Sequence, residues 1–506
     1  MAPPAPPPTT IVPHRRLITA SVMLAMFIQT LDSTICIVSL PYIQGSMSAS
    51  ADEINWVLTS YVIAAAIMTA PVGWMAQRFG RKRLFLICLG GFVTTSMLSG
   101  ATQTLEQLIV CRLVQGMFGA ALAPLCQATM LDIYPFAQRA QAMAIFAMGI
   151  TMGPIMGPTL GGYLTDAYNW RWVFYVNLPT GLLAFIGVAI FLPNVPPKAG
   201  LRFSWYGFAM LAIAVGSFQL ILDRGQKQDW FTSREIIVEA VICGLCFYLF
   251  VVHMFTADKP FLPPALFKDR NFFAAIVMVS CVSSVMLATA SLMAPYLQQL
   301  AHYPVLDSGV AMAPRGFGTM VAMFVASWLG MRFDQRKIMA TGLLSLGAAL
   351  LVMSTWTPNV TQLEMMLVLF VQGFSIGLVF NPMTVMAYTT LSPALRPEAT
   401  SVQSLARNLG SAIGISVTTF TLSRGTQTTH ADIAAGITPF DRVLQSNDAI
   451  SRILDPATRK GAALLDQMIT YQAKIIAYNN DFRLMALTVL PPLVLLLFMR
   501  RHAKPE

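Results

Sequence analysis

An all-α fold that crosses a lipid bilayer many times is what this sequence predicts, and three observations predict it. Only 11% of the 506 residues are charged and 56% are hydrophobic, whereas soluble domains carry roughly 25% charged residues. Fourteen apolar stretches are each long enough to cross the hydrocarbon layer, which takes about 20 residues of helix. Lysine and arginine gather in alternate short loops, the signature of oriented membrane helices.

The first six stretches lie at about 17–40, 55–76, 84–101, 105–132, 141–164 and 172–193. Two follow at about 205–222 and 236–256, and six more near 272–297, 309–330, 338–354, 363–386, 399–420 and 482–499. With the amino end inside, roughly nineteen basic residues fall in inside segments. Only Arg171, Arg224, Lys227 and Arg234 fall in short outside loops, so both termini are expected in the cytoplasm. The net charge of +10, which would suggest nucleic acid in a soluble protein, is here a signal of topology. The Pro-rich start MAPPAPPPTT reads as a disordered tail, and the apolar run after Arg16 as a retained first helix. All seven cysteines sit in apolar runs, which excludes a disulfide framework.

The chain repeats itself. A shift of 254 residues sets WMAQRFGRKRL, from Trp74, over WLGMRFDQRKI, from Trp328; a shift of 257 sets VQG at Val114 over VQG at Val371. The ninth stretch therefore repeats the first, giving two six-helix bundles with two helices inserted between them. The expected division is a tail 1–16, a first bundle 17–193, inserted helices 194–270, and a second bundle 271–506 with an outside segment 421–480.

Polar residues inside apolar runs mark candidate sites, because charge in a membrane is costly. Asp32 in the first stretch and Arg112 in the fourth each lie about eight residues from the outer end, roughly 12 Å deep. They can meet at one level and exchange charge with a proton, or serve as a static pair orienting two helices. Gln115 lies one turn after Arg112, and Arg315, Arg407 and Asn408 are further polar points that line a cavity or bond neighbouring carbonyls. The 31 Met and 31 Phe suit a pliable apolar cavity.

Two backbone patterns stand out. Gly73, Gly80, Arg81 and Lys82 in GWMAQRFGRKR make a tight basic turn, able to meet helix-end carbonyls and carboxylates of a neighbour or to serve topology alone. Gly149, Gly153, Gly157 and Gly161 recur every fourth residue, so they share one helix face, and Pro154 and Pro158 beside them favour a bend. Gly410 and Gly414 are a shorter pair of the same spacing, read as plain packing.

The basic turn resembles the loop motif of the major facilitator superfamily. The LDSTICIVSLP run, RLVQGMFGAA and GITMGPIMGPTLGG resemble the motifs of its drug:proton antiporters, in which the arginine is assigned to proton coupling. Together with WVLTSYVIAAAIMTAPVGW, WRWVFYVNLPTG and APRGFGTMVAM, the likeness is to the fourteen-helix EmrB-type members. The resemblance implies the major facilitator fold and proton-driven export of hydrophobic, neutral or anionic drugs from a bacterial inner membrane. It implies no cofactor, a periplasmic membrane-fusion adaptor (EmrA-like) and an outer-membrane channel (TolC-like). The segments FDRVLQSNDAISRIL and Gly461–Tyr478 offer that adaptor a helical dock, or form a polar linker. An uptake symporter shares the fold and stays open as the alternative. A pore, an enzyme and an ATP-driven pump lack their polar rings, catalytic constellation or phosphate loop in this sequence.

Overall fold

The computed structural model describes residues 13–50, 53–135, 138–194, 196–197, 203–258, 260–392, 395–437 and 458–499. Among them every regular element is a helix, the arrangement that keeps each backbone hydrogen bond within its own segment. We number the long helices α1 (Arg15–Ser46), α2 (Trp56–Thr69 with Val72–Phe79), α3 (Arg81–Ala101), α4 (Leu105–Ile133) and α5 (Arg139–Ala167). Then come α6 (Trp172–Phe191), α7 (Trp205–Arg224), α8 (Arg234–Thr256), α9 (Arg270–Leu300) and α10 (Val305–Gly330). The chain ends with α11 (Gln335–Met353), α12 (Gln362–Thr389), α13 (Arg396–Gly436) and α14 (Arg459–Phe498). Eleven helices are long and apolar enough to cross a membrane, twelve with the two parts of α2 taken as one. The two remaining places belong to α5 and α13, which are not among that twelve.

Local chemistry sets several ends. Side chains of Thr104, Ser204, Asp269, Asp334, Thr361 and Thr458 accept backbone N–H bonds at the starts of α4, α7, α9, α11, α12 and α14. Helix α2 bends by 59° at Ala70–Pro71, where the proline has no N–H to continue the ladder. Gly80, at φ 87°, then turns the chain into α3 in a conformation other residues avoid.

The pairing of helices occurs twice. Helix α1 packs on α5 and α6, α2 on α4, and α3 on α4 and α6; likewise α9 packs on α13 and α14, α10 on α12, and α11 on α12 and α14. The correspondence reaches single atoms. A Cβ on Gly116 would lie 2.4 Å from the Tyr61 carbonyl oxygen, and one on Gly373 would lie 1.8 Å from that of Arg315. Tyr61 and Arg315 are the residues that the 254-residue shift superimposes, as are the two glycines under 257. Thr30 Oγ1 donates to Gly149 O at 3.3 Å across α1–α5, and Ser280 Oγ donates to Ala406 O at 3.1 Å across α9–α13. Helices α7 and α8 pack on each other, with α7 against α2 and α13.

Several expected boundaries differ from the structure, and α1 runs to Ser46 instead of ending near 40. Helix α13 runs to Gly436 instead of ending near 420, and α14 begins at Arg459 instead of 482. Hydropathy marks where lipid is, and a helix that leaves the bilayer keeps its hydrogen bonds without an apolar surface. The stretch at 55–76 runs on as bent α2 to Phe79. At 41 residues α13 is roughly 60 Å long, about twice the hydrocarbon thickness. His430 of α13 and Asp466 of α14 lie 3.0 Å apart on the parts of these helices beyond the apolar stretches. The tail 1–12 and FDRVLQSNDAISRIL lie outside the described residues.

Candidate functional site

Five helices converge on Asp32. Its Oδ2 accepts from Arg112 Nη1 at 2.7 Å, and its Oδ1 accepts from Gln115 Nε2 at 2.9 Å and Asn177 Nδ2 at 2.8 Å. Arg112 also donates from Nη1 to Gln115 Oε1 at 2.9 Å and from Nε to Val57 O at 3.3 Å. Asn177 reaches Ser96 Oγ of α3 at 3.0 Å. Asp32, Arg112, Gln115 and Asn177 are all 0% exposed.

The local sequence explains why they meet. Arg112 and Gln115 are three residues apart, hence on one face of α4. The absent side chain of Gly116 lets α2 approach until the Tyr61 ring lies 4.3 Å from the Arg112 guanidinium carbon, where the ring face attracts the cation. Phe174, at 5.7 Å, is a second aromatic neighbour. The carboxylate thus has one cation and three N–H donors, the environment a buried anion requires. Arg112 Nη2 and Asn177 Oδ1 have no hydrogen-bond partner among the described residues. Sequence reasoning found Asp32, Arg112 and Gln115. It missed Asn177, Ser96 and Tyr61, although the Asn of WRWVFYVNLPTG is a polar residue within an apolar span.

The other candidates are not gathered there. Arg315, half-buried on α10, donates from Nη2 to Met286 O of α9. Arg407 of α13 is 8% exposed and donates from Nη2 to Ser404 Oγ at 3.4 Å; its neighbour Asn408 is exposed. One turn before Arg407, Gln403 Oε1 accepts from Gln127 Nε2 of α4 at 2.9 Å and from the Tyr388 hydroxyl of α12. That cluster of buried side chains joins the two repeats.

The backbone motifs form interfaces. Gly73 lies against the α13 backbone, where a Cβ would come within 2.8 Å of Pro397 and Glu398, and Gln77 donates to the Glu398 carboxylate. Arg81 pairs with Asp132 of α4 at 2.6 Å, a carboxylate near a helix end, whereas Lys82 is half-buried. Gly153, Gly157 and Gly161 face Thr30, Thr34 and Ile35 of α1, and Gly149 faces Met23 and Met26. The side chains of Pro154 and Pro158 lie outside the described residues. Gly410 and Gly414 meet Ser280 and Ser284 of α9 in the same way.

A buried acid outside this site also went unread. Asp481 of α14 is 2% exposed; Thr421 Oγ1 of α13 lies 2.5 Å from its Oδ1. It lies just before the stretch expected at 482–499, outside the apolar runs in which polar residues were sought.

Comparison with known proteins agrees with this geometry. Residues 22–425 match the Major Facilitator Superfamily. The chain is 32% identical over 486 residues to "Multidrug export protein EmrB" of Haemophilus influenzae, covering 96% of this chain and 95% of that one. It is 29% identical over 466 residues to "Fatty acid resistance protein FarB" of Neisseria gonorrhoeae, covering 92% of each. Among solved structures, the human organic anion transporter MFSD10 superimposes with a TM-score of 0.61 at 14% identity, over 96% of this chain and 100% of that one. The chain therefore belongs to the Major Facilitator Superfamily, among its EmrB-type transporters, and is a secondary transporter rather than an enzyme.

Proposed function

We propose that the chain exports hydrophobic, neutral or anionic compounds across a bacterial inner membrane in exchange for protons, by alternating access. The buried Asp32–Arg112 pair carries this reading. Arg112 keeps its proton at any working pH. A proton arriving on Asp32 therefore turns a neutral pair into a net positive site inside the bundle, where charge is costly. That cost falls when water reaches the pair through an open mouth, so proton occupancy and the choice of open mouth are linked. Arg315 and Arg407, which have no carboxylate within ion-pair distance among the described residues, favour neutral or anionic cargo over dications. The names of the relatives, a multidrug exporter and a fatty acid resistance protein, support cargo of that kind.

On this reading residues 17–193 and 271–506 form the two rocking bundles, 194–270 is the insertion, and both termini are cytoplasmic. Gly73, Gly80, Arg81 and Lys82 then latch the cytoplasmic side, and the glycines of α5 form a sliding face against α1. The projecting ends of α13 and α14 are the dock for an EmrA-like adaptor, which passes cargo to a TolC-like channel. The proton gradient is the only energy source and no cofactor takes part.

Dye uptake into inverted membrane vesicles tests this. Uptake is expected with an inward-acid gradient, to be lost when the gradient is collapsed, and to lose its gradient dependence in Asp32→Asn. Uptake that ignores the gradient would refute antiport; dye driven out of the vesicles by the gradient would favour the uptake symporter.

A further inference from the structure

The second repeat holds an acid that the mechanism above does not use. Asp481 is 2% exposed, and its Oδ2 has no hydrogen-bond partner among the described residues. Its surroundings contrast with those of Asp32. Tyr478 on α14 and Tyr296 on α9 are buried, and the next residue, Phe482, makes ring contacts with Trp356 and Tyr296, the three rings lying 6.1–6.5 Å apart. One turn further, Met485 Sδ accepts from Thr289 of α9 at 3.4 Å. The charged residues within two turns are Lys474 and Arg483 on α14 and Arg424 on α13, and none forms an ion pair with Asp481. Helix α11, which also packs on α14, has no ionisable residue near Trp356. A carboxylate here would be an anion facing no cation, whereas the neutral acid needs only hydrogen-bond partners.

The hydroxyl of Thr421 points the same way. It has a single hydrogen and lies 2.9 Å from Val417 O, 3.2 Å from Thr418 O and 2.5 Å from Asp481 Oδ1. If that hydrogen serves the carbonyl of its own helix, the hydrogen between Thr421 and Asp481 comes from the acid. Helix α13 is also the element whose Glu398 and Gln403 meet Gln77 and Gln127 of the first repeat. A proton gained or lost at Asp481 thus acts on the helix that joins the two repeats.

We propose that Asp481 is a second proton-binding residue of this carrier, holding its proton in the arrangement described here and releasing it when α13 and α14 part to admit water. The proposal rests on the proton-antiport reading above. The bond that breaks on release is the carboxyl O–H, and water in the opened interface takes the proton.

The test is infrared spectroscopy of the full-length protein in lipid vesicles at neutral pH, read at the C=O stretch of protonated carboxyls. The wild type is expected to show a band that Asp481→Asn lacks and Asp32→Asn keeps, and Thr421→Val should shift it by removing its hydrogen-bond partner. Protons moved per dye should fall by one in Asp481→Asn. A band undiminished in Asp481→Asn, or unchanged stoichiometry, would overturn the proposal. Should Asp481→Asn not fold, Thr421→Val decides: an unshifted band overturns it. A wild type that moves dye without protons would instead refute the antiport reading, with the band still reporting on Asp481.

Discussion

Replacing Gly153 with alanine should separate two helices, and the size of the effect follows from the backbone around it. A Cβ at Gly153 would lie 2.4 Å from Thr30 Oγ1, 2.5 Å from Thr30 C and 2.6 Å from Leu31 N. The hydroxyl can rotate away, but the two backbone atoms cannot. Restoring the ~3.5–4.0 Å spacing of packed atoms requires α1 and α5 to part by about 1 Å. Overpacking of this kind costs about 1–3 kcal/mol, set against a gain of roughly 0.5–1 kcal/mol because alanine suits a helix better than glycine. Gly162 supplies the control, since its Cβ would meet nothing within 4 Å. At Gly149 the nearest atom is the flexible Met23 sulfur at 3.3 Å. The thermal stability of purified single variants should therefore be unchanged or raised for Gly162→Ala, close to wild type for Gly149→Ala, and lowered for Gly153→Ala. Transport should be impaired for Gly153→Ala alone, because Asp32 lies on the displaced helix. Equal stability of Gly153→Ala and Gly162→Ala would show that α1 and α5 do not pack along this ridge.

Removing one member of the buried pair leaves an uncompensated charge, so Asp32→Asn is expected to cost about 3–5 kcal/mol; Asp32→Asn with Arg112→Gln should recover much of that stability in the same melting assay and recover no transport. A double variant as unstable as the single would show that the pair is not the source of the cost. Gln127→Leu removes the bond that joins the repeats through Gln403, worth about 0.5–1.5 kcal/mol. Hydrogen exchange should accelerate across the first turns of α13 and stay unchanged in α1; unchanged exchange in α13 would assign the cluster a passive role.

Much of this architecture was legible because a bilayer simplifies the code. An apolar run of fixed length reports a span, and a polar residue within one is conspicuous, which is how Asp32 and Arg112 could be paired before any coordinates. The same logic failed where it had no contrast to work with. Asn177 lies five residues into its run, followed by Pro179 and Thr180, and nothing in NLPTG distinguishes it from a turn. Asp481 sits in a helix that is polar for its first two-thirds, so its burial depends on α13 lying alongside. The roles of glycines were half legible: spacing of four gave the shared face, but only packing revealed that Gly410 and Gly414 do for α9 what Gly153 and Gly157 do for α1. Arg315 shows how far polarity within a run carries: of the two roles open to it, lining a cavity or bonding a neighbouring carbonyl, the structure displays the bond to Met286 O.

The length of α13 has a mechanical corollary. No proline interrupts it after Pro397, so a tilt at its gripped base swings the far tip through a distance proportional to a lever of roughly 60 Å. A rotation of about 5°, small by the standard of rigid-body switching, moves that tip by about 5 Å. Whatever rests on the tip therefore receives a displacement generated roughly 60 Å away, with no messenger other than the stiffness of one rod.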